Sequence, residues 1–249
     1  MDSDVVLRTA VAVAILIAIA TAVMSSLRIP APWAPAVAIA RAAVQLAALS
    51  LILTGIIASP LWIAVALLAM CVAAALVSAQ RSGEPLRDAP LMLLAIGGGA
   101  AIACSIVFGT GALEFSSRYV LALGAMTVGN AMSIATLTAR NVRRQTHDHW
   151  SEVEGWLALG ATPRRSTLEL TRRSIAESLI PSIDQSKTTG LVVLPGAFVG
   201  AIFGGLSPLE AGRFQLIVLA AILAAGAVTA AVVALRRGSM RQKPRLLER

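Results

Sequence analysis

The sequence predicts an all-α integral membrane protein, and three properties of the 249-residue chain lead to that fold class. Hydrophobic residues make up 57% of the chain and charged residues only 14%, where soluble proteins carry about 25% charged residues. The mean hydropathy of +0.79 exceeds what a water-soluble fold can bury. The apolar residues also fall into runs of about 20, the length of helix that crosses a bilayer core. Soluble enzymes, disordered chains and free-standing nucleic-acid-binding proteins are therefore excluded.

The apolar runs predict about seven transmembrane helices within a single polytopic membrane domain, 1–249. Residues 1–4 are acidic rather than basic, and the first run is too long for the core of a secretory signal, so we expect it to be retained as a helix. The predicted spans are residues 5–24, 34–58, 61–79, 91–110, 119–139, 188–205 and 214–235.

The distribution of Arg and Lys predicts the orientation, because cytoplasmic loops carry an excess of both. If the N-terminus lies outside, 17 basic residues fall in cytoplasmic segments and only Arg118 and Arg213 fall in outer loops. We therefore predict an outside N-terminus and a cytoplasmic C-terminus. The formal net charge of +8 is confined to short segments between spans, so it does not predict a nucleic-acid partner.

One sizeable cytoplasmic segment, 140–187, separates five predicted spans from the last two. Apolar residues recur at helical spacing near its start, at Trp150, Val153, Trp156 and Leu157. Gly160 predicts the end of this helix, because glycine tolerates a left-handed backbone.

A second helix is predicted to begin at Thr162-Pro163, with Thr162 as the N-cap and Pro163 in the first position. Ile180-Pro181 predicts its end or a kink. We expect this helix to have an apolar face formed by Leu168, Ile175 and Leu179. Elsewhere on the helix we expect a basic surface, formed by Arg164, Arg165, Arg172 and Arg173.

Two interpretations of this helix–glycine–helix element follow from the residues alone. It could be an amphipathic connector on the membrane surface, with its basic residues toward anionic lipid. It could instead be a docking surface that inserts into a partner protein. The composition of the segment does not decide between them.

A resemblance to known permeases bears on this choice. Glu154, followed six residues later by Gly160 and then Ala161-Thr162, resembles the EAA loop of ABC-transporter permeases, which docks onto the ATPase subunit. Several further motifs, in chain order, resemble the FetB-like family of ABC permeases, which is implicated in bacterial iron export and related to plant aluminium-tolerance permeases. These motifs are Arg41-Ala42-Ala43-Val44-Gln45-Leu46, Gly129-Asn130-Ala131-Met132, Leu159-Gly160-Ala161-Thr162-Pro163, Ile180-Pro181-Ser182-Ile183-Asp184, Ser186-Lys187-Thr188, Gly190-Leu191-Val192, Leu194-Pro195-Gly196, Pro208 and Phe214-Gln215.

The resemblance implies a non-enzymatic permease subunit of the bacterial plasma (inner) membrane. It implies a homodimer paired with separate cytoplasmic ATPase subunits, which bind ATP and Mg²⁺ while this chain binds no cofactor. The transported substrate would be a metal ion or metal complex. The implied docking residues are Glu154, Trp156, Leu159, Gly160, Ala161, Thr162 and Pro163. The chain departs from the family pattern at Ala197 and Phe198, where methionines are common, and at Phe214, where tyrosine is usual.

Missing motifs agree with a separate ATPase. No Gly-Lys pair occurs in the chain, so it lacks the P-loop that cradles nucleotide phosphates. The metalloprotease and nucleophile-elbow motifs are also absent, and we assign no catalytic residue.

Polar residues inside spans are candidates for a translocation path, because polar groups are costly in lipid. Arg41 and Gln45 lie one turn apart on the second span, and Met126, Asn130 and Ser133 share a face of the fifth. Each set also has a structural interpretation. Arg41 could extend to the membrane boundary, and the amides and hydroxyls could join helices.

The sixth span carries residues that predict coupling and close packing. Asp184 and Lys187 are three residues apart and could pair at the boundary of the cytoplasmic segment. Pro195 predicts a kink, and small residues four apart permit close approach of helices. These small residues are Gly196, Gly200 and Gly204.

No metal site is assigned from the sequence. His147-Asp148-His149 offers too few ligands, and we expect Cys71 and Cys104 to be small core residues. Three other functions remain to be weighed against a metal exporter. These are a membrane-embedded enzyme, a non-transporting scaffold or signalling subunit that docks an ATPase, and an ABC permease for a non-metal small molecule.

Overall fold

A computed structural model describes residues 3–56 and 59–244, without the side chains of residues 3, 51–56 and 86. Within those residues the regular elements are α-helices, apart from one isolated bridge between Thr189 and Val193. The helices are α1 Ser3–Ser26, α2 Ala34–Ile56, α3 Pro60–Ser82, α4 Pro85–Gly109, α5 Ser117–Asp148, α6 Trp150–Ala158, α7 Pro163–Ser166, α8 Leu168–Thr188, α9 Gly196–Phe203 and α10 Pro208–Arg237.

The chain forms two compact units, Met1–Ala58 and Ser59–Arg249. In the first unit, α1 and α2 contact each other as a helical hairpin. Its turn is closed by the Ile29 amide, which donates to the Met24 carbonyl at 2.9 Å. Most described side chains of this unit are exposed and apolar, as expected of helices whose natural surroundings are lipid or another chain.

The second unit is a bundle of α3, α4, α5 and α10, with α8 packed against α5 and α10. Small residues dominate its core: one cluster is mostly alanine from α3, α4 and α5, and another joins α4, α5 and α10. Lipid tails are as apolar as leucine, so helices in a bilayer associate through close packing rather than through hydrophobic burial. A core rich in alanine and glycine satisfies that requirement.

The backbones of α4 and α10 approach closely at Gly99. A Cβ atom at this position would lie 2.6 Å from the Ala225 carbonyl oxygen and 2.7 Å from Thr229 Oγ1. Beside it, the Thr229 hydroxyl donates to the Ala95 carbonyl at 3.0 Å. Only glycine lets the two backbones come this near.

Five described helices are long and apolar enough to cross a membrane, and α2 is apolar over the shorter stretch Ala34–Ser50. The five are Asp4–Ser26, Pro60–Ser82, Arg87–Gly109, Ser117–Asp148 and Pro208–Arg237. Five of the predicted spans therefore correspond to one of these helices. The end of the predicted span 34–58 lies outside the described residues.

The prediction of one continuous span over 188–205 is wrong. Helix α8 ends at Thr188, Gly190 has a φ of +83°, and the chain stays non-helical until Pro195 precedes α9. Eight residues of α9 rise about 12 Å, well short of the ~30 Å hydrocarbon core. Hydropathy recognised the apolar composition of this segment, but glycine and proline break its helix.

Two helices extend beyond their predicted spans. Helix α5 runs to Asp148 instead of 139, because Val142, Gln145 and Thr146 are buried on its inner face. Helix α10 begins at Pro208 instead of 214, after a capping box in which Ser207 and Glu210 satisfy each other's backbone amides.

Replacing Gly99 by alanine tests the contact between α4 and α10. We expect Gly99→Ala to lower the thermal unfolding midpoint in detergent, because overpacking costs roughly 1–3 kcal/mol. Gly98→Ala is the matched control, since no atom lies within 4 Å of its added Cβ and alanine favours helix by up to about 1 kcal/mol over glycine. Equal midpoints for the two variants would contradict the close packing.

Candidate functional site

Helix α6 ends in a tight glycine turn. The Gly160 amide donates to the Leu157 carbonyl and the Ala161 amide to the Trp156 carbonyl, both at 3.0 Å. These two bonds, with Gly160 at a φ of +85°, form a Schellman motif, which satisfies the last carbonyls of the helix. The predicted end of the helix at Gly160 is confirmed.

The chain then begins a new helix, as predicted. Thr162 is the N-cap, its hydroxyl accepts from the Arg165 amide at 3.4 Å, and Pro163 occupies the first turn. Helix α7 covers only four residues before a break at Thr167. The Thr167 hydroxyl donates there to the Gly238 carbonyl at the end of α10. The restarted helix is therefore tied to the bundle within one turn.

The surface of this element, which we call the docking turn (150–166), is exposed and partly apolar. Leu159 at the tip is 83% exposed and Trp156 is 47% exposed. Glu154 is also exposed, whereas Val153 is fully buried. Arg164 and Arg165 follow the tip in the chain and are also exposed. All seven predicted docking residues lie within this short segment, and none of them is buried.

Helix α8 connects the docking turn to the bundle, and its most buried face is not the apolar face identified in the sequence. Leu168, Ile175 and Leu179 of that apolar face are only half-buried. The buried stripe consists mainly of hydroxyl residues, whose side chains donate to carbonyls of their own helix and leave a narrow surface for close packing. The stripe is Leu170, Thr171, Ser174 and Ser178.

Of the two outcomes predicted at Ile180-Pro181, an end of the helix is wrong, because α8 continues through Pro181 to Thr188. Proline removes one amide donor from a helix, which leaves one carbonyl without its helical partner. Because Pro181 lies on the exposed side of α8, the helix can continue without leaving that carbonyl in the core. The docking turn is therefore followed by a continuous helix of 21 residues.

Polar contacts hold α8 to α5. Gln145 donates to Glu177 at 2.8 Å, and Asn141 donates to Ser178 at 3.3 Å. Arg144 reaches the same Glu177 at 3.8 Å. Gln145 is buried, and a buried amide is costly unless paired, so these contacts fix the register of the two helices.

A charged cluster at the ends of α3, α4, α5 and α10 was not predicted. Asp88 of α4 pairs with Arg237 of α10, and both side chains are nearly buried, at 5% and 12% exposure. Ser82, before the Gly83 turn, donates to Asp88 at 2.6 Å. Glu84 lies 3.3 Å from Arg143 of α5.

The same end of the bundle is joined by a backbone contact. Arg140 Nε donates at 3.0 Å to the Arg81 carbonyl, one of the free carbonyls at the end of α3. The sequence signal for the cluster was the pair Glu84 and Asp88, four residues apart at the start of a span. Their partners on α5 and α10 are too distant in sequence to be recognised without the fold.

The predicted path residues of α5 lie partly outside the core of the unit. Asn130 is half-buried and its amide donates to the Met126 carbonyl at 2.9 Å, while Ser133 is exposed. Met126 packs against the core cluster of α4 and α10. The Asn130 amide and the Ser133 hydroxyl therefore donate to carbonyls of α5 itself, and Ser133 is not covered by the other helices described in this unit.

Arg41 and Gln45 belong to the other unit, where both are exposed on α2. Asp184 and Lys187 form the predicted pair at 3.1 Å on the exposed side of α8.

A Cβ at Gly196 or Gly200 would meet no atom within 4 Å, and one at Gly204 would meet only carbonyls of its own segment. Close packing at these glycines stays a prediction, and Pro195 is the residue before α9.

The described residues contain no cluster of three His, Cys, Asp or Glu side chains that could hold a metal ion. Cys71 and Cys104 are unpaired and half-buried. Both line an apolar cavity of about 420 Å³ between α3, α4 and α5.

Comparison with known proteins assigns the chain to a family. The model of an uncharacterised protein family, UPF0014, matches residues 7–240. The chain belongs to the UPF0014 family. No solved structure matches it at a significant level.

Named UPF0014 relatives agree with the resemblance seen in the sequence motifs. The chain is 36% identical over 194 residues to the UPF0014 membrane protein STAR2 of rice, covering 77% of this chain and 68% of the relative. It is 37% identical over 168 residues to the protein ALUMINUM SENSITIVE 3 of Arabidopsis thaliana, covering 68% and 62%. It is 35% identical over 136 residues to the Escherichia coli "probable iron export permease protein FetB", covering 55% and 52%. The predicted family is confirmed.

Asp88→Asn tests the charged cluster of this UPF0014 protein. We expect a loss of about 3 kcal/mol of stability, because the nearly buried Arg237 charge loses its main partner and keeps only Glu84, 4.0 Å away. The control is Asp184→Asn, which breaks an exposed pair and should cost at most about 1 kcal/mol. Thermal unfolding in detergent measures both. If Asp88→Asn unfolds no earlier than the control, the cluster does not stabilise the bundle.

Proposed function

We propose that this chain is the permease subunit of an ABC transporter and that the docking turn binds a separate cytoplasmic ATPase subunit. The observation that carries the proposal is the Schellman turn at Gly160 with its exposed Leu159 tip. The tip is apolar and the turn fixes its shape, while the fully buried Val153 anchors helix α6 behind it. Such a tip suits insertion into a pocket of a protein partner. A connector lying on lipid would need no such turn.

The helices on either side of the docking turn support a mechanical role. Helix α5 leads into the turn from the bundle, and α8 leads out of it against α5 and α10. Because Gln145 and Asn141 tie α5 to α8, a push on the turn would move both helices together. ATP-driven closure of the ATPase dimer would in this way rock α5, α8 and α10 as a rigid body and switch access between the two sides.

The orientation of the chain follows in this proposal from its basic residues. Seven of them belong to the joined ends of four bundle helices, an arrangement typical of the cytoplasmic side of a membrane protein. They are Arg81, Arg87, Arg140, Arg143, Arg144, Arg236 and Arg237. The docking turn follows α5 at that end, so in this orientation it would lie on the side where ATP is available. The N-terminus would then lie outside.

The proposed substrate is a metal ion or metal complex, exported across a bacterial inner membrane by a homodimer of this chain with two ATPase subunits. The name of the Escherichia coli relative, a probable iron export permease, supports the substrate class and the direction. The polar face of α5 with Met126, Asn130 and Ser133, and Arg41 with Gln45 on α2, are the candidate lining of the path. ATP and Mg²⁺ would bind to the ATPase subunit.

Cysteine labelling tests the orientation. In a background with Cys71→Ala and Cys104→Ala, an impermeant thiol reagent should label Asp4→Cys in intact cells and Ser239→Cys only in inside-out vesicles. The physical reason is the excess of Arg and Lys at the end of α10. Labelling of both positions from the same side would overturn the proposed topology.

Two substitutions in the docking turn test the function. Gly160→Val places a β-branched residue at a φ of +85°, where such residues are outliers, and should misdirect α7. Glu154→Lys reverses a charge facing the partner and should weaken encounter more than folding. Both variants should insert into the membrane normally but lose co-purification with the cognate ATPase.

Matched controls and a substrate readout complete this test. Gly111→Val places the same residue at a φ of +69° in the turn after α4, outside the docking turn and with no atom near its added Cβ, and Glu169→Lys changes an exposed charge on α8. Both controls should retain the ATPase. Reconstituted wild-type complex should hydrolyse ATP faster when Fe²⁺ is supplied on the cytoplasmic side. Wild-type ATPase binding by the Gly160 and Glu154 variants would reject the docking role, and binding without stimulation by any metal would reject the substrate class.

A further inference from the structure

A cavity of about 940 Å³ opens beside the charged cluster, where α4, α5 and α10 end. Six basic side chains line it, against two carboxylates, Glu84 and Asp88. The basic residues are Arg87, Arg143, Arg236, Arg237, Arg241 and Lys243. The volume is within the range of small-molecule sites, roughly 300–1,000 Å³.

The wall of the cavity is a chain segment, 239–244, that is anchored at both ends. Before it, the Thr167 hydroxyl donates to the carbonyl of the buried Gly238. At its far end, the His147 ring nitrogen Nδ1 lies 2.8 Å from the Pro244 carbonyl oxygen. These contacts, to the N-cap residue of α8 and to α5, hold the basic residues of the segment over the ends of the helices.

The carboxylates of the cavity are already engaged. Asp88 pairs with Arg237, and Glu84 lies within 4.0 Å of Arg87, Arg143 and Arg237. In the part of the chain that the structure describes, no carboxylate lies within ion-pair distance of the three remaining basic residues. These are Arg236, Arg241 and Lys243. The cavity therefore has an excess of positive charge that an anion from outside the chain would neutralise.

One side of the cavity is apolar and continues into a membrane span. Pro90, Leu91 and Leu94 line it from α4, within the span Arg87–Gly109. Leu94 is 72% exposed. Basic groups beside an exposed apolar helix face match the two parts of a phospholipid, whereas a free phosphate ion would use only the basic groups.

We propose that this cavity binds an anionic phospholipid, with the phosphate headgroup among Arg236, Arg241 and Lys243 and an acyl chain along Leu91 and Leu94. Basic pockets between transmembrane helices are suited to such headgroups. The bound lipid would bridge α4, α10 and the 239–244 segment. This inference does not depend on the proposed transport function, because the docking turn contributes no residue to the cavity.

Lipid binding to the purified, delipidated full-length chain tests the proposal. Native mass spectrometry would measure bound dioleoyl phosphatidylglycerol and, separately, dioleoyl phosphatidylcholine. We expect the anionic lipid to bind at about tenfold lower concentration, and Arg241→Gln with Lys243→Gln to weaken its binding at least about fivefold, the effect of one basic residue near an anionic lipid surface. The matched control is Arg172→Gln with Arg173→Gln, two exposed basic residues of α8 outside the cavity, which should change binding less than twofold.

Two further measurements separate a lipid from a free phosphate ion. Leu94→Ser should weaken binding of phosphatidylglycerol, and millimolar inorganic phosphate should not displace the lipid. Equal binding of the two lipids, or equal weakening by the α8 control pair, would overturn the proposal. Displacement by inorganic phosphate together with no effect of Leu94→Ser would also overturn it, in favour of a simple phosphate site.

Discussion

The approach of α4 to α10 at Gly99 is the constraint on which the second unit depends. A helix in lipid gains little from burying apolar surface, so its association with another helix relies on close contact and on hydrogen bonds. At Gly99 the backbones are so near that a methyl group would overlap the Ala225 carbonyl. This contact lets Thr229 reach the Ala95 carbonyl and sets α10 where α5 and α8 can also pack on it.

The docking turn depends on that packing for its position. Its internal geometry is local, since it is built by Gly160, Thr162 and Pro163, but its relation to the bundle comes from α5 and α8. Small hydroxyl residues allow α8 to lie close against its neighbours, and Glu177 receives contacts from both Gln145 and Arg144. A turn held by two helices in fixed register can transmit force, whereas one on a loose loop would absorb it.

The charged cluster and the cavity beside it share one physical origin. Four helices end at the same level, and their basic residues accumulate there. Asp88 and Glu84 neutralise part of this charge within the protein, at the cost of burying an ion pair that is favourable only while both partners remain. The charge left over faces an apolar surface of α4, which is why the cavity suits a ligand that is anionic at one end and apolar at the other.

The sequence by itself determined the membrane class, most spans, the glycine turn and the Asp184–Lys187 pair. Each depends on neighbouring residues: hydropathy for the membrane class and the spans, a positive φ at Gly160 and an N-cap at Thr162 for the turn, and i,i+3 spacing for the pair. The ordered motifs likewise sufficed to recognise the resemblance to FetB-like permeases, which the family assignment and the named relatives confirm. The tertiary structure alone decided which face of α8 is buried, that this helix continues through Pro181, and that the apolar stretch 188–205 is broken. It also decided the pairing of Asp88 with Arg237, because residues so far apart in the chain meet only after α4 and α10 have packed at Gly99.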